Sequence, residues 1–218
     1  MVKKNRNIIV IKKGKSNTFV HKINRYASPQ HLFYITAHST EELLKLVEQK
    51  AAEITKTIKA AEISENQKRI LKTPASDQLI QDKFRVKMAL RSNYSYELVA
   101  NKFLWIRREL ATGYNSLLLY EVPISAIEKN NTIINNILNV RDSIGKKFIH
   151  GSVGKTWMIT ERAYSPYFLQ TQIDHKMAFE TKGTWQLKND FMAGPFINYA
   201  IKDIKNNRYL ILDGFTYN

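Results

Sequence analysis

Few residues in this 218-residue chain have the types and spacing of a reactive site. Gly151-Ser152-Val153-Gly154-Lys155-Thr156 ends as a phosphate-binding loop ends, but that pattern, G-x-x-x-x-G-K-[ST], requires glycine where this chain has Ile149. The flanking periodicity also runs from helix into strand, so no helix N-terminus would aim its amides at a phosphate, and a flexible connection is the expected role. The five histidines, His21, His31, His38, His150 and His175, never fall at the i, i+4 or H-x-H spacing of a metal pair. Asp174-His175 shares a region with Ser152 and Ser165, yet no G-x-S-x-G elbow exists to raise a serine nucleophile. Glu161, Glu180, Asp190 and Asp213 could serve as an acid and base only if the fold paired two of them across strands, and exposed strand charges are the commoner outcome. With no cysteine, disulfides, thiolate metal sites and cysteine nucleophiles are excluded together. No catalytic, cofactor-binding or metal-binding residue is assigned, and the expectation is a protein that is not an enzyme.

The elements that position these residues follow from periodicity. Asn7 to Lys13 and Gln30 to Ala37 read as strands, and Ser39 with Glu42 forms a capping box for a long helix. Leu43, Val47, Ile54, Ile58 and Ala61 make its apolar stripe, and Pro74 ends it at Thr73. A short helix, Ser76 to Phe84 with Ser76 as cap, is expected next. Strands are read at Arg85 to Leu90, Tyr96 to Ala100, Lys102 to Leu110 and Ser116 to Val122. A second helix spans 125–147, with Ile127, Ile134, Ile137 and Val140 on one side. Trp157 to Arg162, Lys176 to Lys188, Pro195 to Ile204 and Arg208 to Tyr217 complete the chain, the last two as a hairpin through Lys205-Asn206-Asn207. The class is α+β: antiparallel sheets with a long N-terminal helix and a second central helix packed on one face. Residues 1–84 (basic strands and two helices) and 85–218 (strands around the central helix) are expected to form one compact domain.

The formal charge of +15 is unevenly distributed. Residues 1–40 hold eight Lys and Arg and no acid, whereas 41–82 sum to −1, 83–150 to +6 and 151–218 to +2. Lys3, Lys4, Arg6, Lys12, Lys13 and Lys15 are the candidate contacts for a polyanion, either nucleic acid or an anionic lipid surface. Against that, 24 Lys stand beside 10 Arg, 24 Ile and 18 Asn, the usage of AT-rich codons. A solubilising coat that binds polyanions weakly is then a sufficient account. No apolar run reaches the roughly 20 residues of a membrane-spanning helix, and Ile8-Ile9-Val10-Ile11 is too short for an export signal.

The most distinctive stretch runs from Phe179 to Phe196, with E-T-K-G-T-W at Glu180 to Trp185 and D-F-M-A-G-P-F at Asp190 to Phe196; Gly214-Phe215-Thr216-Tyr217 closes it. Gly194-Pro195 reads as a turn at a core corner, with Phe191, Met192 and Phe196 packed beside it. Trp105 and Trp185 are expected in one sheet–helix interface, their ring N–H groups partnered. The functional alternative has Trp185, Phe191, Met192 and Phe196 lining an exposed apolar groove for a peptide, lipid or glycan.

These blocks resemble a family of Bacteroidota cell-envelope proteins catalogued as domain of unknown function 4837, whose pattern reads E-T-[RK]-G-x-W, D-F-M-G-G-P-F and G-F-x-Y. Phe103-Leu104-Trp105-Ile106-Arg107-Arg108 with Leu118 to Glu121, and Arg141 to Ile144 with Lys147 to Ile149, match the same family, so the resemblance covers nearly the whole chain. It marks Trp105, Arg107, Arg108, Trp185, Asp190, Phe191, Met192, Gly194, Pro195, Phe196, Gly214, Phe215 and Tyr217 as family-motif residues, structural or groove-lining. Ala193 stands where the pattern has its first glycine. The resemblance implies exported lipoproteins without an established activity. This chain departs from it at both ends, in lacking a lipid-attachment cysteine and starting within the family's first domain, and in stopping just after the G-F-x-Y block, as a fragment or shortened gene would. A periplasmic or envelope location is therefore implied by the family, with a cytoplasmic one as the alternative. The expected function is an accessory or binding domain for an envelope protein or glycan, with no cofactor; its rival is a polyanion binder using the basic arm.

Overall fold

The computed structural model describes residues 4–130 and 132–217. The chain divides into two compact units, Met1–Thr73 and Pro74–Asn218. In the first, β1 (Asn7–Lys13), β2 (Thr18–Ile23) and β3 (His31–Ala37) form a sheet of order β1-β3-β2, followed by α1 (Thr40–Lys72). The pairing departs from an all-antiparallel expectation, since β1 runs parallel to β3. The chain inserts β2 antiparallel on the opposite edge of β3, which leaves β1 and β3 pointing the same way. Phe33 and Ile35 pack against Ile54 of α1, with Leu43, Val47 and Ile58 around them. Ser39 Oγ accepts the Glu42 amide at 3.1 Å, which supplies the expected N-cap. Thr73 is the C-cap before Pro74. Buried Gln30 organises the β2–β3 connection: its side chain donates to the Asn5 carbonyl at 2.8 Å and accepts the Tyr26 amide at 2.9 Å.

The second unit is an eight-stranded antiparallel sheet. Its strands are β4 (Ser95–Ala100), β5 (Phe103–Leu110), β6 (Gly113–Pro123), β7 (Trp157–Thr160), β8 (Tyr167–Ile173), β9 (Lys176–Lys188), β10 (Ala193–Asp203) and β11 (Arg208–Tyr217). They lie in the order β4-β5-β6-β11-β10-β9-β7, and β8 also pairs with β9. Strand β9 is long enough, at 13 residues, to hold β8 along its first half and β7 along its second. Among the described residues, three α-helices accompany the sheet: α2 (Gln78–Phe84), α3 (Ile124–Glu128) and α4 (Ile133–Phe148).

Alternation along the strands gives the sheet two apolar faces. On the first, Phe103, Leu118, Tyr120, Trp185, Phe196, Tyr209, Ile211 and Phe215 pack against Ile127 of α3 and Ile137 and Leu138 of α4. On the second, Leu104, Ile106, Leu119 and Leu210 pack against Ile80 and Phe84 of α2 and Leu90 beyond it. Arg208 anchors α2 there. Its guanidinium donates to the Phe84 carbonyl at 2.5 Å and to Asp203 at 2.9 Å, and pairs with Glu121.

Several local expectations are corrected. Arg85 to Leu90 is not a strand: Arg85 takes the left-handed conformation (φ 57°) that ends α2, and the following residues lay apolar side chains on the sheet. Asp77, not Ser76, is the residue before α2, and its carboxylate accepts the Met88 amide at 3.1 Å. The single helix read over 125–147 is broken between α3 and α4. Buried Asn136 reaches back across the break to the Ile127 carbonyl and Asn130, both at 2.9 Å, which a continuous helix would forbid. Strands β2 and β8 fall on segments to which the sequence reading assigns no element.

Inside the first face lies a buried charge. Arg141 of α4 (1% exposed) donates to Asp213 of β11 (0% exposed) at 2.7 Å and to Thr160 at 3.2 Å. Asn198 donates to the same carboxylate at 2.8 Å, and the Phe196 ring lies 3.8 Å from the guanidinium carbon. Burial pushes the Asp213 carboxyl above its ordinary value, against the downward pull of Arg141 and Asn198. Arg141→Met would strand that carboxylate, and urea unfolding near neutral pH should show a loss of about 3–5 kcal/mol. A carboxyl whose pKa is raised in the folded state takes its proton there first, so its contribution to stability falls as pH rises through that window. Removing Arg141 lifts it further, and the variant's deficit should be smaller at about pH 5 than at about pH 8. Arg141→Met with Asp213→Leu should recover most of the loss, because no charge is left unpaired.

Candidate functional site

The cover on the sheet's second face is partial. Residues of α2 and the segment after it lie over β5, β6 and the near part of β11, whereas among the described residues no helix side chain joins this cluster over β9 and β10. The result is a groove of about 660 Å³. Its floor is built from Leu117, Pro195, Ile197 and Gly214, its rims from Tyr94 just before β4 on one side and from Tyr164, Ser165 and Tyr167, where the β7–β8 connection enters β8, on the other. Tyr164 and Tyr167 are 70% and 80% exposed. Gly214 gives the floor its depth, since a side chain there would rise into the groove past Leu117 and Ile197, whose methyl carbons lie 3.4 and 3.5 Å from the position of a Cβ.

Among the described residues, the one charged residue lining the groove is Lys182, paired with Glu180 at 2.5 Å. The other Glu180 oxygen accepts the Tyr199 hydroxyl at 2.6 Å. Burial, and then that bond, raise the Tyr199 hydroxyl above its ordinary value, so it stays a donor. An apolar floor, tyrosine rims and a neutralised lysine can hold a ligand by contact and hydroxyl hydrogen bonds.

The residues singled out for chemistry are dispersed. Glu161 accepts the Ala163 amide, Asp190 accepts the Phe191 amide, Glu180 serves Tyr199 and Lys182, and Asp213 is enclosed with Arg141. Among the described residues, no three of His, Asp and Glu gather as metal ligands, and no helix is long and apolar enough to cross a membrane. The 151–156 loop closes on itself: Thr156 Oγ accepts the Gly151 amide at 3.1 Å and donates to the Val153 carbonyl. His21 and His31, which no spacing linked, stack across the β2–β3 pair with ring nitrogens 2.9 Å apart. Burial lowers the His21 pKa, and the neighbouring His31 adds to the effect.

The motif residues divide among three environments. Trp185, Phe196 and Phe215 are buried in the first-face core, so the groove proposed from Trp185, Phe191, Met192 and Phe196 does not form as such. Trp105, Met192 and Tyr217 pack at its margin. Both tryptophan N–H groups are partnered, Trp105 by Ser116 Oγ and Trp185 by the Thr216 carbonyl, each at 3.0 Å. Arg107 pairs with Glu97 and Glu109, and Arg108 lies over the Tyr94 ring at the groove rim. Pro195 and Gly214 line the groove floor. Asp190 and Phe191 form the β9–β10 turn, where Phe191 is fully exposed. Gly194-Pro195 is not a turn but part of β10; the reversal comes earlier, at Asn189 (φ 64°). In the basic arm, Lys4, Lys12, Lys13 and Lys15 are exposed, Arg6 is tied to Glu62, and Lys3 lies outside the described residues. Tyr94, Leu117, Tyr164, Tyr167 and Ile197 carried no local signal of a site, and Lys182 stood in the E-T-K-G-T-W block without being singled out; alternation told which strand residues share a face, and nothing local told that the face is left open.

A family model described as Domain of unknown function (DUF4837) matches residues 73–218. A second, described as Domain of unknown function (DUF8532), matches residues 1–71. The two matches meet where the two compact units meet. No curated protein and no solved structure matches the chain.

Two glycines of the motif should respond oppositely to substitution. A Cβ on Gly194 would sit 2.1 Å from the Thr216 carbonyl oxygen, a backbone atom that cannot swing aside. Gly194→Ala should therefore cost roughly 1–3 kcal/mol in urea unfolding. Gly214→Ala, which meets its neighbours at ordinary contact distance, should change stability by less than about 1 kcal/mol.

Proposed function

The chain belongs to the family described as Domain of unknown function (DUF4837), and we propose that its second unit is a non-catalytic binding module. It takes an extended ligand bearing apolar or ring-shaped groups, a peptide strand or a glycan, along the open half of the sheet's second face. The observation that carries this reading is the uncovered floor of Leu117, Pro195, Ile197 and Gly214 between half-buried Tyr94 on one rim and exposed Tyr164 and Tyr167 on the other. Tyrosine supplies contact area at low entropic cost and a hydroxyl for hydrogen bonds, which suits such ligands. The setting is the bacterial cell envelope, in an accessory role, as the sequence resemblance implies. A second reading rests on the exposed Lys4, Lys12, Lys13 and Lys15, which favour weak binding of polyanions by the first unit.

A glycan array and a displayed peptide library, each probed with the full chain and with Gly214→Phe, test the groove. Gly214→Phe fills it without adding charge, so ligands enriched by the native chain should be lost while the melting curve is kept. Their binding should change little between about 50 and 200 mM salt, whereas phosphate-driven binding to the arm weakens steeply over that range. Equal enrichment by Gly214→Phe would sink the groove reading. Fractionation of the native cells checks the setting: recovery with envelope markers is expected, and recovery with cytoplasmic ones removes the envelope role.

A further inference from the structure

A second surface of the 74–218 unit has a chemistry that the groove does not use. Phe191, at the β9–β10 turn, is fully exposed, and Val153, in the loop between α4 and β7, is 62% exposed. The turn itself does not need the phenyl ring, since it is closed by the Asp190 carboxylate on the Phe191 amide and by the Met192 carbonyl accepting the Leu187 amide. The two loops are fastened together: Asn189 donates its side-chain amide to the Lys155 carbonyl at 3.1 Å. Both apolar tips are thereby held at one end of the sheet. Beside them Trp157 opens β7, with the ammonium groups of Lys146 and Lys188 at 5.4 and 5.2 Å from its ring centroid.

We propose that this end of the unit docks on an anionic lipid bilayer, with Phe191 and Val153 entering the headgroup layer and Lys146, Lys155 and Lys188 meeting lipid phosphates. The interface of a bilayer rewards this combination. An aromatic or aliphatic tip leaves water, an indole settles at headgroup depth, and lysines lay their stems on apolar surface while their charge reaches phosphate. Nucleic acid, the other polyanion, fits less well. The Trp157 ring is already engaged by two ammonium groups and Val153 has no π-face, so a base would have Phe191 alone to stack on, without the neighbouring rings of a stacking platform.

The test is flotation of the full chain with vesicles of phosphatidylcholine containing about a quarter phosphatidylglycerol, against pure phosphatidylcholine. The native chain should float with the anionic vesicles and not with the neutral ones. Phe191→Ala, which keeps every charge and sits at an exposed site, should lower the partition coefficient about tenfold, the effect of losing one inserted aromatic side chain. Phe191→Trp should keep binding and shift its emission to the blue when vesicles are added. The basic arm is controlled by replacing Lys12, Lys13 and Lys15 with Ala, which should leave the ratio between native and Phe191→Ala chains unchanged. The proposal is overturned if Phe191→Ala floats as well as the native chain, or if neither floats. A single-stranded RNA oligonucleotide that is held by the native chain and released by Phe191→Ala, with no flotation, would overturn it in favour of nucleic acid.

Discussion

The buried ion pair of Arg141 and Asp213 is the constraint around which the 74–218 unit is arranged. Two charges with almost no solvent contact are tolerated only where geometry and further hydrogen bonds compensate for lost hydration. Here Thr160, Asn198 and the face of Phe196 supply that compensation, from β7 and β10. The pair therefore specifies the rotation of α4 about its axis and the register of the strands beneath it. A slip of one residue in β11 would turn Asp213 to the opposite face and leave Arg141 alone. Arg208 performs a comparable service on the other face, where it joins β6, β10 and the end of α2. One arginine per face holds the helices, and between the second helix cover and the strands it does not reach lies the open groove.

The sequence was legible where side-chain alternation and chain punctuation coincide. Asn7–Lys13, Lys176–Lys188 and Arg208–Tyr217 have the ends that alternation assigns, and Ser39 and Pro74 bracket α1 as their chemistry requires. It was illegible where alternation is silent. Strands β2 and β8 are exposed along most of their length, so no buried face disciplines their sequence. The parallel pairing of β1 with β3 depends on where β2 inserts, which is a property of three segments together. Gly194-Pro195 has the local signature of a turn, but glycine is there because the backbone of β11 crowds the site, a reason invisible to neighbours in sequence.

The candidate site was read only in part for the same reason. Pro195 and Gly214 drew notice as motif residues and do line the groove, while the tyrosines of its rims drew none. A groove formed by missing cover has no sequence of its own. The motif of Asp190 to Phe196 also combines unlike tasks within seven residues: an exposed phenyl at the turn, a glycine under steric pressure, a proline on the groove floor and a phenylalanine against a buried guanidinium.

The position of β11 in the sheet has a consequence for how the molecule comes to exist. It is the last of the eight strands in the chain, yet it lies between β6 and β10, with β4 and β5 on one side and β7, β8 and β9 on the other. During synthesis the two half-sheets are complete while the strand that joins them is still being made. Until it arrives, β6 and β10 each present an unpaired edge, and Arg141 has no carboxylate to meet. Folding of this unit is thus a late, long-range event of the kind that topology makes slow, and the nascent chain is most exposed to association with its neighbours on the ribosome just before its final strand emerges.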